Sequence, residues 1–244
     1  MLHDESRRKE IVLEIIIRHY IETAEPVGSR FVARKLGLSS ATIRNVMCDL
    51  EDMGFITHPH TSAGRIPTDK GYRYYIDSLM RIKSINEHLA RTIADQYHEA
   101  MRSIEDVLEK TSHMMSSLTN YVGISLLPEY KKVYLDGTSH IIEQPEFKDF
   151  HKLYSLLKCL EEKANILKLL SDDIDGRLVV HIGKENKMSY LDDCSVVTRG
   201  YKMKGKIVGR LGVIGPKRMM YEKVIPTVEF LADTVSRIFD GIEE

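Results

Sequence analysis

A loop with two histidines and one arginine, His58, His60 and Arg65, contains the residues of this sequence that most readily suggest chemistry. Imidazole nitrogens bind zinc and act as catalytic bases, so the two histidines first suggest a metal or proton-transfer site. A zinc site needs three or four ligands, and no carboxylate or cysteine stands at ligand spacing from this pair. We therefore expect no metal here, and we expect the histidines to pack at the base of the loop or to meet a polyanion.

The rest of the same loop is built to be narrow. Ser62 and Ala63 are small, Gly64 and Pro67 shape the backbone, and Arg65 is expected at the tip. A slim loop tipped by arginine fits the minor groove of DNA, whose negative potential attracts a guanidinium group. Two further cations follow the loop and are expected to contact phosphates: Lys70 and Arg73.

The elements before the loop follow a recognisable order. Apolar spacing predicts a helix over 6–23, with one apolar face made of Ile11, Val12, Ile15, Ile16 and Tyr20. Glu25 to Gly28 form a turn signal. A second, short helix is predicted with Ser29 as its cap and Gly37 at its end, followed by a third over 41–53 and a short strand over 55–57. Three helices, a small β element and a loop are typical of a winged helix-turn-helix.

The third predicted helix has two different faces. Its apolar residues recur at helical spacing and are expected to face the core: Ile43, Val46, Met47 and Leu50. The opposite face presents small and hydrogen-bonding residues: Ala41, Arg44, Asn45 and Cys48. Arginine bonds guanine and asparagine bonds adenine in bidentate fashion, while hydroxyls at the helix start suit phosphates, here Ser39, Ser40 and Thr42. A merely solvated polar face is the alternative, and the helix-turn-helix order favours DNA contact.

Three tyrosines follow the loop, at positions 72, 74 and 75. Tyrosines can stack on bases, but at helical spacing they are more often part of a core. We expect these to be core residues that connect the loop to the rest of the chain.

The remaining sequence predicts an α+β fold. Residues 82–118 carry an apolar stripe too long for an ordinary helix, so it either breaks in two or packs on another helix. From 121 onward, β-rich runs alternate with a helix over 147–170 and a final helix over 221–239. We predict a DNA-binding domain over 1–80, a helical linker over 81–120 and a second domain over 121–244.

Composition excludes several classes of protein. The net charge is -1, with a small basic excess before residue 84 and a small acidic excess after it. The three cysteines are far apart and form no Cys-x-x-Cys pair, which favours reduced thiols in the cytoplasm. No apolar run is long enough to span a membrane, and the polar start is unlike a signal peptide. No catalytic or dinucleotide-binding motif occurs, so we expect neither an enzyme nor a cofactor.

Several blocks, among them "YIETAEPVGSR", "LGLSSATIRNVMCDLEDMGFITHPHTSAGRIPTDKGYRYYIDSLM" and "LGVIGPKRMMYEKVIPTVEFLADTVSRIF", resemble the heat-inducible transcription repressor HrcA family of bacteria. The resemblance implies a winged-helix domain followed by a GAF-like domain. It implies a homodimer that represses chaperone genes from an inverted-repeat operator, CIRCE, and a repressor kept active by the GroE chaperonin. On this resemblance the recognition-helix motif corresponds to Ser40, Thr42, Arg44 and Asn45, and the wing arginine to Arg65.

The sequence departs from the family between "TNYVG" and "DGTS", where family members carry further strands and an inserted dimerisation domain. Here only "ISLLPEYKKVYL" joins the two blocks. Two other functions remain open on the sequence: a ligand-sensing GAF-type regulator of other genes, and an interaction module whose winged helix contacts protein.

Overall fold

The computed structural model describes residues 2–60, 63–82, 84–98, 103–171 and 175–241. Ser62, which together with Ala63 was expected to keep the loop narrow, lies outside the described residues. The chain forms two compact units: Met1–Arg81 with Lys217–Met220, and Ile82–Pro216 with Tyr221–Glu244. The predicted domain boundaries at 80 and 120 stay predictions.

The first unit has the predicted order of elements. It consists of helices α1 (Leu2–Thr23), α2 (Ser29–Leu36) and α3 (Ser40–Asp52), strands β1 (Ile56–Thr57) and β2 (Ile66–Pro67), and helix α4 (Asp69–Tyr74). Helix α4 continues into a π-helical turn, Tyr75–Leu79. Gly37 ends α2 with a φ of 65°, a left-handed conformation that glycine adopts at little cost.

Two local predictions in this unit were wrong by a small shift. The buried stripe of α1 includes Leu13 and Ile17, whereas Ile11, expected in the core, is exposed. Ser29 is the first residue of α2 rather than its cap, since Gly28 takes the cap position and no side chain caps this helix. Both errors are of the kind expected when a helical face or end is assigned from spacing alone.

The core of the first unit forms around α3 and the segment after the loop. Ile43, Val46, Met47 and Leu50 are all buried, which confirms the apolar face of α3. Tyr72 and Tyr75 are buried as well, so these two are core residues and are not available to stack on DNA bases. Tyr74 is half-buried, and its hydroxyl donates to Glu10 of α1 at 2.8 Å, a bond that raises the pKa of the phenol.

A short segment from late in the chain belongs to this first unit. Lys217 Nζ lies 2.9 Å from Asp69 Oδ1 at the start of α4. Arg218 Nη1 donates to the carbonyl of Ile21 in the last turn of α1 at 3.0 Å. A cation at a helix C-terminus complements the unpaired carbonyls there.

The second unit is an α+β domain. Its elements are α5 (Glu87–His98), α6 (Ile104–Thr119), β3 (Val122–Leu127), β4 (Lys132–Asp136), α7 (Ser139–Glu143), α8 (Phe150–Glu161), α9 (Lys163–Ser171), β5 (Val179–Ile182), β6 (Cys194–Met203), β7 (Lys206–Pro216) and α10 (Tyr221–Asp240). The stripe over 82–118 therefore breaks into two helices, the second capped by Ser103, which accepts from the Asp106 amide. The single helix expected over 147–170 is likewise interrupted at Glu162.

Five strands form one antiparallel sheet in the order β4-β3-β7-β6-β5. Successive side chains of β3 point to opposite faces, and Ile124 and Leu126 pack in a cluster with Leu156 of α8 and Ile166 of α9. On the other face, α6 approaches Gly123 so closely that a Cβ there would overlap its backbone. Helices therefore cover both faces of the sheet.

The junction at which the family's insert is expected is a simple β-hairpin. Leu127 of β3 pairs with Lys132 of β4, and Pro128–Tyr130 form a single 3-10 turn between them. Lys131 closes the turn in the left-handed region with a φ of 50°. The chain thus joins β3 to β4 directly, and β4 becomes an edge strand. No helix of the described ranges is both long and apolar enough to cross a membrane.

Candidate nucleic-acid interface

The start of α3 is fixed by hydrogen bonds that involve four hydroxyl groups. Ser39 is the N-cap, and its Oγ accepts from the Thr42 amide at 3.0 Å and bonds the Thr42 hydroxyl at 2.8 Å. Ser40 Oγ lies 2.9 Å from Ser29 Oγ at the start of α2, so a hydrogen bond joins the two helix N-termini. These bonds set the angle at which α3 leaves the turn, and they hold the predicted phosphate-contacting hydroxyls at one end of α3.

The exposed face of α3 carries the predicted base-contacting residues. Ala41, Arg44, Asn45 and Cys48 are all exposed. At this face the small side chains leave room for a close approach, and the arginine and asparagine provide bidentate donors and acceptors. The flank of α3 is tied to α1 by an ion pair between Lys9 Nζ and Asp49 Oδ2 at 2.9 Å, which raises the pKa of the lysine.

The wing is a very short antiparallel ladder. Only two residue pairs join β1 to β2, Ile56 with Pro67 and Thr57 with Ile66. A further bridge joins Arg65 to Val27, where each residue's amide donates to the other's carbonyl at 2.9 Å. The end of the loop that leads into β2 is thus anchored both to β1 and to the turn before α2.

Arg65 does not lie at the tip of the loop. Its backbone is in the Val27 bridge at the wing base, and its Nη2 lies 2.8 Å from Oε2 of Glu51 on α3. The side chains of Arg65 and Glu51 are only 22% and 24% exposed, so water screens this pair less than a surface pair. Arg65 Nε is buried without a hydrogen-bond partner among the described residues.

The same carboxylate holds the other side of the wing. His58 Nδ1 lies 2.5 Å from Oε1 of Glu51. This contact puts His58 against α3 at the base of the loop, while His60 is exposed, and contact of the histidines with a polyanion stays a prediction. In the described part of the chain, no group of three or more metal-binding side chains comes together.

The two cations after the loop, Lys70 and Arg73, both contact other residues of the protein. Lys70 Nζ donates to the carbonyl of Met53 at 2.8 Å, just past the end of α3, and lies over the Phe55 ring. Arg73 Nη1 lies 3.4 Å from Asp77 Oδ1 one helical turn away. Both side chains keep some exposure, and Lys70 connects α4 to the turn between α3 and β1.

A concave cleft of about 450 Å³ separates α3 from the wing base. Arg44 contributes from α3, Gly28 and Ser29 from the start of α2, and Gly64 and Arg65 from the wing. No side chain caps α2, whose N-terminal residues Gly28 and Ser29 line this cleft. Two guanidinium groups and a helix N-terminus give the cleft the chemistry of an anion-binding surface.

Sequence reasoning missed Glu51, and it made Ser29 a helix cap without its bond to Ser40. A signal for Glu51 exists, since it follows Arg44 by seven residues and therefore shares its helical face. The identity of its partners, however, depends on how the wing folds back over α3. The Ser29–Ser40 bond likewise joins two helices and has no signature in either one.

Gly64 is expected to tolerate no side chain. A Cβ at this position would lie 2.7 Å from the backbone of Pro26 and Val27, so one of the two segments must move. We expect Gly64→Ala to break the Val27–Arg65 bridge, to lower the unfolding free energy by about 1 kcal/mol and to weaken DNA binding several-fold. Gly241→Ala in the second unit is the control, since a Cβ there makes only ordinary contacts at 3.5 Å and beyond. Equal stability of the two variants in thermal unfolding would contradict the expectation.

The three-helix unit with its paired β1–β2 wing and exposed α3 face defines a winged-helix DNA-binding protein. Residues 5–79 match the model of the winged helix-turn-helix transcription repressor, HrcA DNA-binding, and residues 129–225 match the HrcA protein C terminal domain. The chain belongs to the HrcA family. Membership makes it a DNA-binding transcription repressor rather than an enzyme.

The chain is similar to named relatives over nearly its whole length. The heat-inducible transcription repressor HrcA of Geobacter sulfurreducens is 32% identical over 339 residues, covering 98% of this chain and 99% of the relative. That of Carboxydothermus hydrogenoformans is 34% identical, covering 96% and 98%. Because the alignments are longer than the 244 residues of this chain, the relatives contain residues that it lacks.

One solved structure, described as a hypothetical protein, supports the fold. It is 20% identical, covers 96% of this chain and 98% of its own, and has a TM-score of 0.73. At this identity the likeness concerns the fold alone.

Proposed function

We propose that the chain represses heat-inducible chaperone genes by binding an inverted-repeat operator as a homodimer, with α3 in the major groove. The observation that carries the proposal is the exposed face of α3, where Arg44 and Asn45 stand beside small residues in a winged helix of a repressor family. Major-groove edges present distinct donor and acceptor patterns, and these two side chains are suited to guanine and adenine.

The other predicted contact residues then have supporting roles. Ser39, Ser40 and Thr42 lie at the α3 N-terminus, where hydroxyls and backbone N–H groups suit phosphate oxygens. Arg65 contributes positive charge from the cleft beside α3 rather than from a loop tip. Lys70 and Arg73 add charge along the flank, and such contacts position the protein without reading sequence.

A homodimer would place two α3 helices in successive major grooves, one helical turn of DNA or a multiple of it apart. Because the family's dimerisation insert is absent, we propose that the second unit provides the contact between copies. We also propose the GroE chaperonin as the regulator and the cytoplasm as the compartment, both on the family resemblance.

The test is a gel shift with the inverted repeat found upstream of chaperone genes in the source organism. Binding to the repeat should exceed binding to scrambled DNA and should fall steeply with salt, since phosphate contacts release counterions. Sedimentation at several concentrations reports the oligomeric state. Failure to prefer the repeat at any salt concentration would contradict the proposal and would favour a protein-contacting role for the winged helix.

A ligand-sensing regulator is the second candidate, supported by a cleft of about 430 Å³ in the second unit. It lies beside α8 and is lined by aromatic and polar side chains that include His151, Ser155, Tyr190 and Asp192. This volume is within the range of small-molecule sites. A metabolite screen that raises the unfolding temperature, with a matching change in operator affinity, would favour this candidate.

A further inference from the structure

The described residues of the wing loop, 58–60 and 63–65, have few attachments to the rest of their unit. The β1–β2 ladder contains two residue pairs, and an isolated hairpin this short is marginal in water. The Val27–Arg65 bridge holds only the end of the loop that leads into β2. Among the described residues, one side chain reaches both sides of the loop: Glu51 of α3.

We infer that Glu51 is a positioning residue for DNA binding, whose carboxylate fixes the wing against the recognition helix; the inference rests on the proposed function. Each of its two oxygens holds one side of the loop. Oε2 lies 2.8 Å from Arg65 Nη2, just before β2, and Oε1 lies 2.5 Å from His58 Nδ1, just after β1. The carboxylate therefore sets both the position of Arg65 in the cleft and the direction in which the loop leaves β1.

A positioning role explains why an acidic residue stands on this side of α3. Glu51 shares a helical face with Arg44, so its charge lies on the side of α3 that meets DNA, where a carboxylate repels phosphate. Asp52, the next residue, is exposed and has the same charge. The two acids differ in that Glu51 is three-quarters buried between Arg65 and His58 of the wing.

This contrast supplies a matched pair of variants, Glu51→Ala and Asp52→Ala. Each removes one negative charge from neighbouring positions of α3. Charge alone predicts equal or tighter operator binding for both variants, since repulsion falls. Positioning predicts that Glu51→Ala weakens operator binding roughly tenfold while Asp52→Ala does not weaken it. Equal behaviour of the two variants would overturn the inference.

A double-variant cycle separates a role through Arg65 from a general role in stability. If Glu51 acts by holding Arg65, the loss caused by Glu51→Ala should largely disappear in an Arg65→Ala background. Strictly additive losses would mean that Glu51 acts elsewhere. Glu51→Gln, which keeps the length and one acceptor, should recover part of the affinity lost by Glu51→Ala.

A measurement without DNA keeps the two proposals distinguishable. The amides of Val27 and Arg65 each donate in the bridge, so hydrogen exchange at these two amides reports how firmly the wing base is held. Glu51→Ala should speed exchange at both, and Asp52→Ala should leave it unchanged. A wild-type protein that binds no inverted repeat overturns the proposed function and the inference with it. Unchanged exchange in Glu51→Ala, with operator binding intact, overturns the role of Glu51 alone.

Discussion

Arg44→Ala should lower the affinity for the operator by roughly tenfold to a hundredfold and should bring it close to the affinity for scrambled DNA. A good bidentate contact to a base is worth about 1–3 kcal/mol of discrimination, and Arg44 is the exposed guanidinium at the centre of the α3 face. Its neighbours on the opposite face, Ile43 and Met47, remain buried, so the fold should be unaffected. Titration of both DNAs at one salt concentration measures the change in preference.

Lys35→Ala on α2 is the control for this experiment. It also removes one exposed positive charge, and in this structure the lysine lies over the Phe31 ring outside α3. Loss of charge alone weakens binding to the operator and to scrambled DNA by the same factor. If Arg44→Ala behaves like Lys35→Ala on both DNAs, then α3 is not the helix that distinguishes one base sequence from another.

Arg65→Ala should weaken binding to operator and scrambled DNA alike, by roughly tenfold, and should leave their ratio nearly unchanged. The variant removes one cation from the cleft, which should lower the salt slope by about one. It also leaves the partly buried carboxylate of Glu51 without its arginine, so the wing should lose a fixed position. Filter binding over a series of salt concentrations measures both the affinity and the slope.

Arg65→Lys tests which of these two effects dominates. Lysine keeps the charge but lacks the planar guanidinium fork. That fork lets arginine hold Glu51 and still offer further N–H groups to DNA. A variant that keeps the salt slope but loses affinity points to the geometry of the pair. Binding by Arg65→Ala that matches wild type at every salt concentration would remove the wing arginine from the mechanism.

Much of the first unit followed from local chemistry. The apolar face of α3 and the Gly37 terminus of α2 each depend on residues within one or two helical turns, and both were confirmed. The position of Arg65 was wrong for a different reason. A run of small residues indicates a slim loop, but nothing local shows that Val27, nearly forty residues earlier, bonds the arginine's backbone.

The second unit shows the same division. The β-rich runs after residue 121 predicted the strands of the sheet, because β-forming composition and bounding turn residues are local properties. The strand order β4-β3-β7-β6-β5 was not predicted, since β3 pairs with a strand that lies more than eighty residues later. Breaks in the helices over 82–118 and 147–170 were likewise not assigned to a residue, because apolar spacing continues across them.

The sequence by itself determined the class of this protein. Helix caps, periodicity and the exposed pair Arg44 and Asn45 predict a winged helix that meets DNA, because each depends on neighbours in the chain. Only the tertiary structure decided what holds the wing in place. The contacts of Glu51 with His58 and Arg65 form when the loop folds back over α3, and an ion pair between distant segments leaves no pattern in the spacing of either.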